Sequence, residues 1–217
     1  MRKGIYVWDL PTRLFHWLLV ILVGTSVVTG EVGGSAMRYH EWSGFVILVL
    51  LLFRVAWGFV GSHESRFVGF IRNPVTVFHY ARSLLRRNSR RYLGHNPLGG
   101  WSIVAMLLAL FIQAGTGLFA NDDIATQGPL YGWVSKETSN WLTSIHLLNV
   151  NVILALISIH IFAVLFHLFF ERENLVTPMI TGFKEWDHEA AEPGKGSIWL
   201  AALIAVLAAF TVYLVVR

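Results

Sequence analysis

Histidine is the side chain through which this sequence could do metal or proton chemistry, because its 217 residues include nine histidines and no cysteine. Without cysteine the chain cannot form disulfides, thiolate zinc sites, iron–sulfur clusters, thiol nucleophiles or the covalent attachment of c-type haem. A metal held by side chains would therefore rely on imidazole nitrogens.

The spacing of four histidines predicts two pairs at different depths. His146 and His160 are 14 residues apart. Fourteen residues of α-helix turn through about 1400° and rise about 21 Å, so both imidazoles face the same side of one helix. His16 and His40 stand near the starts of two other apolar segments. If these segments cross a membrane in opposite directions, His16 lies at the depth of His160 and His40 at the depth of His146.

The elements that must position these histidines are long apolar stretches. The chain is 55% hydrophobic and only 14% charged, which is too apolar for a soluble domain of this size. A helix needs about 20 apolar residues to span the hydrocarbon core of a bilayer. Five stretches qualify, at about 14–30, 41–60, 100–120, 144–170 and 198–216. They predict an all-α integral membrane bundle, with a four-helix core in residues 1–185 and a linker plus a fifth transmembrane helix in residues 186–217.

The basic residues predict the orientation of this bundle. Of the 17 lysines and arginines, 14 lie on the side that holds the N-terminus, and only Arg38, Lys136 and Arg217 lie on the other. Because basic residues concentrate in cytoplasmic loops, we expect a cytoplasmic N-terminus and an external C-terminus. The net charge of +4 is then a topology signal, and no nucleic-acid partner is expected.

The connecting segments carry weaker signals. Residues 73–91 interleave apolar residues with arginines, which predicts an amphipathic helix on the anionic cytoplasmic leaflet or, alternatively, a solvated basic linker. The external loop 121–143 contains Asp122 and Asp123 and is the expected docking surface for a partner. Four further histidines are expected to be solvated loop residues: His63, His79, His95 and His188.

Four interpretations fit the paired histidines: separate hydrogen-bonded core residues, a proton relay, a transition-metal pathway, or two bis-histidine haems. Metal transport and proton relays usually recruit carboxylates or thioethers, whereas the first four stretches offer only Glu41 and Met106. Haem needs an imidazole on each face of the iron, small residues beside the ring and cations for its propionates. The chain supplies Gly24, Gly30, Gly44, Gly115 and Gly117 as small residues, and Arg13, Arg38 and Arg54 as cations. Two bis-histidine haems are therefore favoured. The alternatives are a haem-free transporter or metal-binding membrane protein, and a membrane anchor subunit whose redox role lies elsewhere.

Three motifs also resemble a known family. They are VWDLPTRLFHWLL at residues 7–19, the Arg38-x-His40-x-x-x-Gly44 pattern, and the histidines 14 residues apart in the fourth stretch. Together they resemble the bacterial cytochrome b561 family, which includes the b-type cytochrome subunits that pair with nickel–iron hydrogenases. The resemblance covers about residues 5–185 and four of the five stretches. The fifth stretch departs from the four-helix family core, so it could be an anchor, a docking helix or part of the bundle.

The resemblance implies two haem b groups, ligated by His16 with His160 and by His40 with His146. It implies a multi-pass protein of the bacterial inner membrane that exchanges electrons in a respiratory chain. The exchange would run between membrane quinone and a periplasmic redox protein, such as a c-type cytochrome or a hydrogenase subunit. Some family members place a histidine near the position of His167 in a quinone pocket, which would add quinone oxidoreductase activity. Otherwise His167 is an interfacial residue or a propionate partner.

Overall fold

The computed structural model describes residues 3–86, 90–124, 126–186 and 194–217. Three residues used in the charge count or expected to be solvated, Arg2, Arg87 and His188, lie outside this part. Within it the chain forms eight α-helices and two short strands. In chain order they are β1 (Lys3–Tyr6), α1 (Leu10–Val32), α2 (Met37–Val60), α3 (Phe67–Phe70), α4 (Pro74–Leu85), α5 (Pro97–Gly117), α6 (Lys136–Phe169), α7 (Val176–Thr181), β2 (Phe183–Trp186) and α8 (Ile198–Val216).

Five of these helices are long and apolar enough to cross a membrane. They are α1, α2 together with the 3-10 turn that precedes it, α5, α6 and α8. Each overlaps one of the five predicted stretches, so the prediction of an all-α membrane bundle is confirmed. The largest difference is at α6, which begins at Lys136 instead of at about residue 144.

Polar caps explain where α1, α5 and α6 begin. The Asp9 carboxylate accepts a hydrogen bond from the Thr12 amide at 2.8 Å at the start of α1, and the Asn96 side chain accepts one from the Gly99 amide at 2.7 Å at the start of α5. Both helices carry proline in the first turn, where its missing N–H costs no intrahelical bond. Ser135 caps α6 in the same way. The cap therefore sets the start of α6 about two turns before the apolar stretch.

The bundle is built from two helix pairs. α1 packs along α2, α5 packs along α6, and contacts between α2 and α5 join the pairs. Leu51, Trp57 and Leu107 lie in the core where they meet. The outward faces are apolar and open, with Ile21 62% exposed and Val206 66% exposed. Apolar surfaces of this extent contact lipid or another protein, and the length of the apolar helices indicates a membrane.

The fifth transmembrane helix, α8, packs mainly on α2. It buries Ala201, Ala208 and Val212, small residues that let two helices approach closely. Just before it, Gly196 lies so close to Trp57 that a Cβ atom there would be 2.5 Å from the indole ring. Helix α8 is thus part of the bundle. The division of the chain into units 1–185 and 186–217 stays a prediction.

The two ends of the bundle differ. At one end, called the sheet end here, β1 pairs antiparallel with β2, with Lys3 opposite Trp186 and Tyr6 opposite Phe183. Residues 61–86, residues 90–96 and α7 lie at the same end. The opposite end, called the loop end, is formed in the described part of the chain by residues 33–36, 118–124 and 126–135. The small sheet was not predicted, and it ties the start of the chain to the segment that follows α6.

Helix α4 lies at the sheet end and covers the first part of the predicted amphipathic segment. Val75 and Phe78 are 64% and 66% exposed, and His79 and Arg82 are exposed as well. The helix thus carries exposed apolar and exposed basic side chains. Its placement on a lipid surface stays a prediction.

Candidate functional site

The structure brings the four spaced histidines together as two facing pairs. At the sheet end the ring centres of His16 and His160 are 6.4 Å apart, with an angle of 54° between their planes. At the loop end those of His40 and His146 are 5.9 Å apart, at 76°. We call these the sheet-end pair and the loop-end pair. Each pair joins one helix of the first helix pair to α6.

Backbone carbonyls fix the protonation of the loop-end pair. His40 Nδ1 lies 2.8 Å from the carbonyl oxygen of Ser26 on α1, and His146 Nδ1 lies 2.9 Å from that of Gln113 on α5. Because a carbonyl only accepts hydrogen bonds, each Nδ1 is the donor, and each Nε2 keeps its lone pair. A carbonyl partner of this kind orients imidazoles that ligate metals.

Glycines allow these imidazoles to approach the carbonyls. Gly30 follows Ser26 by one turn, and a Cβ there would lie 2.9 Å from His40 Nδ1. Gly117 follows Gln113 by one turn, and a Cβ there would lie 3.0 Å from His146 Cε1. Helices α1 and α5 thus each carry a glycine one turn after the carbonyl that binds the imidazole. Gly30 and Gly117 each pack against an imidazole, and their expected place beside a cofactor ring stays a prediction.

The other three glycines have more room. A Cβ on Gly24, Gly44 or Gly115 would meet no atom within 4 Å. Gly44 lies one turn after His40 and is half-buried, as is Gly115, whereas Gly24 is exposed. Gly44 therefore keeps the geometry expected of a small residue beside a flat ring.

A buried amide holds α6 in register with α5 near the loop-end pair. Asn149, one turn after His146, donates to the Ala109 carbonyl at 2.9 Å and to Gln113 Oε1 at 2.8 Å. It is 7% exposed. Because the Gln113 carbonyl also fixes His146, Asn149 supports that orientation. The sequence prediction did not include Asn149, whose signal is an amide side chain inside a mostly apolar helix.

The sheet-end pair lies next to a tied-down helix start. Arg13 Nη1 donates to the Ile180 carbonyl, and Trp17 Nε1 donates to the Met179 carbonyl at 2.9 Å. Both bonds join α1 to α7. They hold the first turns of α1, and with them His16, against the segment that follows α6.

Four buried nitrogens lack hydrogen-bond partners, and all lie near the sheet end. In the described part of the chain they are the only buried side-chain nitrogen or oxygen atoms without one: Arg13 Nε, His16 Nδ1, Arg54 Nη1 and His95 Nδ1. Unsatisfied buried polar atoms are costly and rare in native proteins. Their concentration at one end therefore points to a polar group that binds there.

His95 was expected to be a solvated loop residue, and this expectation is wrong. Its ring lies between the side chains of Trp8 and Phe70, with centres 4.5 and 4.7 Å away. Burial lowers its pKa to about 3, and the positive charges of Arg54 and Lys184 contribute to this shift. His95 is therefore neutral at pH 7. No local sequence signal marks this burial, which arises from contacts with β1–α1 and α3.

The remaining predicted site residues lie apart from the pairs. Arg38 is exposed at the loop end. At the predicted docking loop, Asp123 forms an ion pair with Lys136 at 3.0 Å, and Asp122 accepts hydrogen bonds from backbone amides of its own loop. His63 and His79 are exposed, as expected.

His167 is 5% exposed and belongs to a buried polar network. Its Nδ1 lies 3.2 Å from Glu173 Oε2, and its Nε2 lies 3.5 Å from the Asn96 amide nitrogen. Glu173 also pairs with Lys184 at 2.7 Å. Burial alone would raise the pKa of the Glu173 carboxyl, but the hydrogen bond from His167 and the charge of Lys184 outweigh burial and lower it to about 2. Both ring nitrogens of His167 therefore have protein partners.

The pair geometry fits one particular kind of metal group. An imidazole nitrogen lies about 2.0 Å from a metal that it ligates, so two imidazoles on opposite sides of one ion have ring centres about 6 Å apart. Both observed separations agree with this value. Among the described residues, no cluster of three or more histidines, aspartates and glutamates could hold a metal ion. The pairs thus suit an ion that brings its own equatorial ligands, as iron in a porphyrin does.

Comparisons with known proteins agree with this geometry. The family profile described as prokaryotic cytochrome b561 matches residues 7–182. A probable Ni/Fe-hydrogenase B-type cytochrome subunit from Bradyrhizobium diazoefficiens is 28% identical, over 85% of this chain and 87% of that protein. Proteins of the same description from Azotobacter vinelandii (26% identical; 84% and 89% covered) and Rhizobium leguminosarum (26%; 83% and 89%) are also similar. No solved structure matches the chain significantly.

Proposed function

Because the chain belongs to the prokaryotic cytochrome b561 family, a family of b-type haem proteins of membrane electron transport, we propose that it conducts electrons across the membrane through two haem b groups. One haem is held by His16 with His160, and the other by His40 with His146. The observation that carries this proposal is that two pairs of imidazoles face each other at two depths, with ring centres 6.4 Å apart in one pair and 5.9 Å apart in the other.

The residues present fit this role. Held by two imidazoles, haem b would supply outer-sphere one-electron chemistry. The chain itself must present a lone pair on each histidine Nε2. At the loop-end pair the Ser26 and Gln113 carbonyls ensure this, because each accepts a hydrogen bond from Nδ1–H. Arg13 and Arg54 bring positive charge to the sheet-end pair. Gly44 leaves room beside His40. Arg38 is exposed at the loop end, where it would bring positive charge to the haem of the loop-end pair.

We propose that the sheet end faces the cytoplasm of the bacterial inner membrane. Most of the lysines and arginines lie there, as the positive-inside rule requires. The C-terminus is then periplasmic. Electrons pass between the loop-end haem and a periplasmic partner on one side, and between the sheet-end haem and membrane quinone on the other.

A quinone site beside the sheet-end haem would involve His167. His167 lies on α6 two turns beyond His160, which favours a place near the sheet-end haem. Its ring nitrogens, however, are engaged by Glu173 and Asn96. A quinone that uses His167 would have to replace one of these bonds.

For the periplasmic partner we propose a nickel–iron hydrogenase subunit, because several relatives are described as hydrogenase B-type cytochrome subunits. The loop end exposes apolar side chains that a partner could cover, since Ile124 is 91% exposed and Trp133 81% exposed. The paired Asp123 offers less attraction for a basic partner than the sequence suggested. A c-type cytochrome or superoxide would meet the same surface.

Removing single ligands tests the assignment of the two haems. In a redox titration of the purified protein, His146→Ala should remove the loop-end haem and keep the sheet-end haem, and His160→Ala should do the reverse. The exposed His79→Ala is the matched control and should keep both. If His146→Ala kept both haem spectra, the pairing would be wrong. A haem-free transporter or an anchor subunit would show no b-type spectrum in any of these proteins.

A further inference from the structure

Arg54 and His95 bring unpartnered nitrogens to the same part of the sheet end. Arg54 is 3% exposed, and its Nη1 is buried without a hydrogen-bond partner, as is His95 Nδ1. Both groups lie against one aromatic ring: the Arg54 guanidinium is 5.9 Å from the centre of Phe70, and the His95 ring is 4.7 Å from it.

The depth of Arg54 links this place to the sheet-end pair. Arg54 follows His40 by 14 residues on α2, the same interval that separates His146 from His160 on α6. Arg54 therefore faces the same side of α2 as His40, about 21 Å further along the helix. Since His40 faces His146, Arg54 lies at the level of His160.

The rings of Phe67 and Phe70, which lie against Arg54 and His95, are held in place by close contacts. A Cβ on Gly58 of α2 would lie 2.1 Å from the Phe67 ring, and a Cβ on Gly100 of α5 would lie 2.6 Å from the Phe70 carbonyl oxygen. Helix α3 is therefore held tightly between α2 and α5. The guanidinium of Arg54 lies 4.9 Å from the centre of the Phe67 ring, so its position is set by packing as well as by charge.

Asp9 is an acidic side chain close to this place, but its oxygens are already used. Oδ1 accepts from the Thr12 amide at 2.8 Å. Oδ2 accepts from Trp57 Nε1 at 3.1 Å and from the Ser65 hydroxyl at 3.4 Å. Asp9 therefore balances part of the charge of Arg54 without satisfying its Nη1. A buried guanidinium without a hydrogen-bonded anion is costly.

We propose that Arg54 and His95 form a carboxylate site, and that this site holds a propionate of the haem at the sheet-end pair. The proposal rests on the proposed function, since it requires a haem there. Arg54 supplies the charge, and the neutral His95 donates from Nδ1–H. Charge-assisted bonds of this kind are the strong ones. His95 is thus a cofactor-binding residue that the sequence did not indicate.

The test is a redox titration of four purified, haem-loaded variants, with each haem assigned through His146→Ala and His160→Ala. Loss of a cation beside a propionate favours ferric iron. Arg54→Gln should therefore shift the ferrous-to-ferric ratio of the sheet-end haem about tenfold toward ferric iron at a fixed potential, a fall of about 59 mV for a one-electron couple. His95→Phe should shift it in the same direction by about threefold. His95→Gln keeps an N–H donor and should stay near the wild type, as should the exposed control His79→Phe.

Resonance Raman spectra give an independent reading, because the propionate bending band should move in Arg54→Gln and His95→Phe only. Unchanged sheet-end potentials and bands in both variants would overturn the proposal, while two intact haems would leave the proposed function standing. A wild-type protein without haem would instead overturn the proposed function. If Arg54→Gln lost both haems through misfolding, the comparison of His95→Phe with His95→Gln decides the question. Equal potentials of the sheet-end haem in these two variants would refute the site.

Discussion

Gly30→Ala should weaken the loop-end haem site selectively. The added Cβ would lie 2.9 Å from His40 Nδ1, whereas ordinary contacts begin at 3.4 Å. The imidazole must therefore retreat by about half an ångström, which stretches its 2.8 Å hydrogen bond to the Ser26 carbonyl and tilts Nε2 away from His146. Overpacking of this kind costs about 1–3 kcal/mol, which corresponds to about a five- to 150-fold loss of affinity for the loop-end haem.

The helix itself gains from this substitution, because alanine is the better helix former by about 1 kcal/mol. A loss of haem therefore cannot be attributed to a weaker α1. The assay is haem content and redox titration of the purified protein, with the sheet-end haem as internal reference. Gly132→Ala is the matched control, since Gly132 is exposed at the same end and a Cβ there meets no atom within 4 Å. Full occupancy and an unchanged loop-end potential in Gly30→Ala would refute the role given to this glycine.

Two further predictions concern the sheet end. Trp57→Phe removes the indole N–H that donates to the buried Asp9 carboxylate and should cost about 1–3 kcal/mol, seen as a lower Tm in detergent; an unchanged Tm would contradict the bond. Because the pKa of Glu173 is lowered to about 2 by His167 and Lys184, its carboxylate stabilises the fold above a pH of about 4.5 and loses this effect as the pH falls toward 2. Glu173→Gln should therefore lose free energy of unfolding on the order of 3 kcal/mol at pH 7, which is seen as a lower Tm. The difference in Tm between the variant and the wild type should shrink below a pH of about 4.5. A pH-independent difference would contradict this assignment.

The membrane bundle and the histidine pairs could be predicted because both depend on local periodicity. Apolar length alone locates a transmembrane helix, and the 14-residue interval places His146 and His160 on one side of it. The early start of α6 could also have been found, since Ser135 is a recognisable cap.

The rest depends on contacts between distant parts of the chain. The sheet pairs Lys3 with Trp186, two residues with no local signal that joins them. The burial of His95 requires Trp8 and Phe70 from two other segments. That Gly30 packs against the His40 imidazole follows from the register of α1 against α2, which apolar patterns leave undefined.

In the proposed function, each histidine pair holds one haem b. The most direct measurement is a pyridine haemochrome assay on the purified protein, with the protein concentration determined independently by amino-acid analysis. We expect a b-type spectrum with two haems per chain, and two resolved one-electron steps in a redox titration of the same sample. One haem per chain, or no b-type signal in protein purified from cells that make haem, would contradict the account.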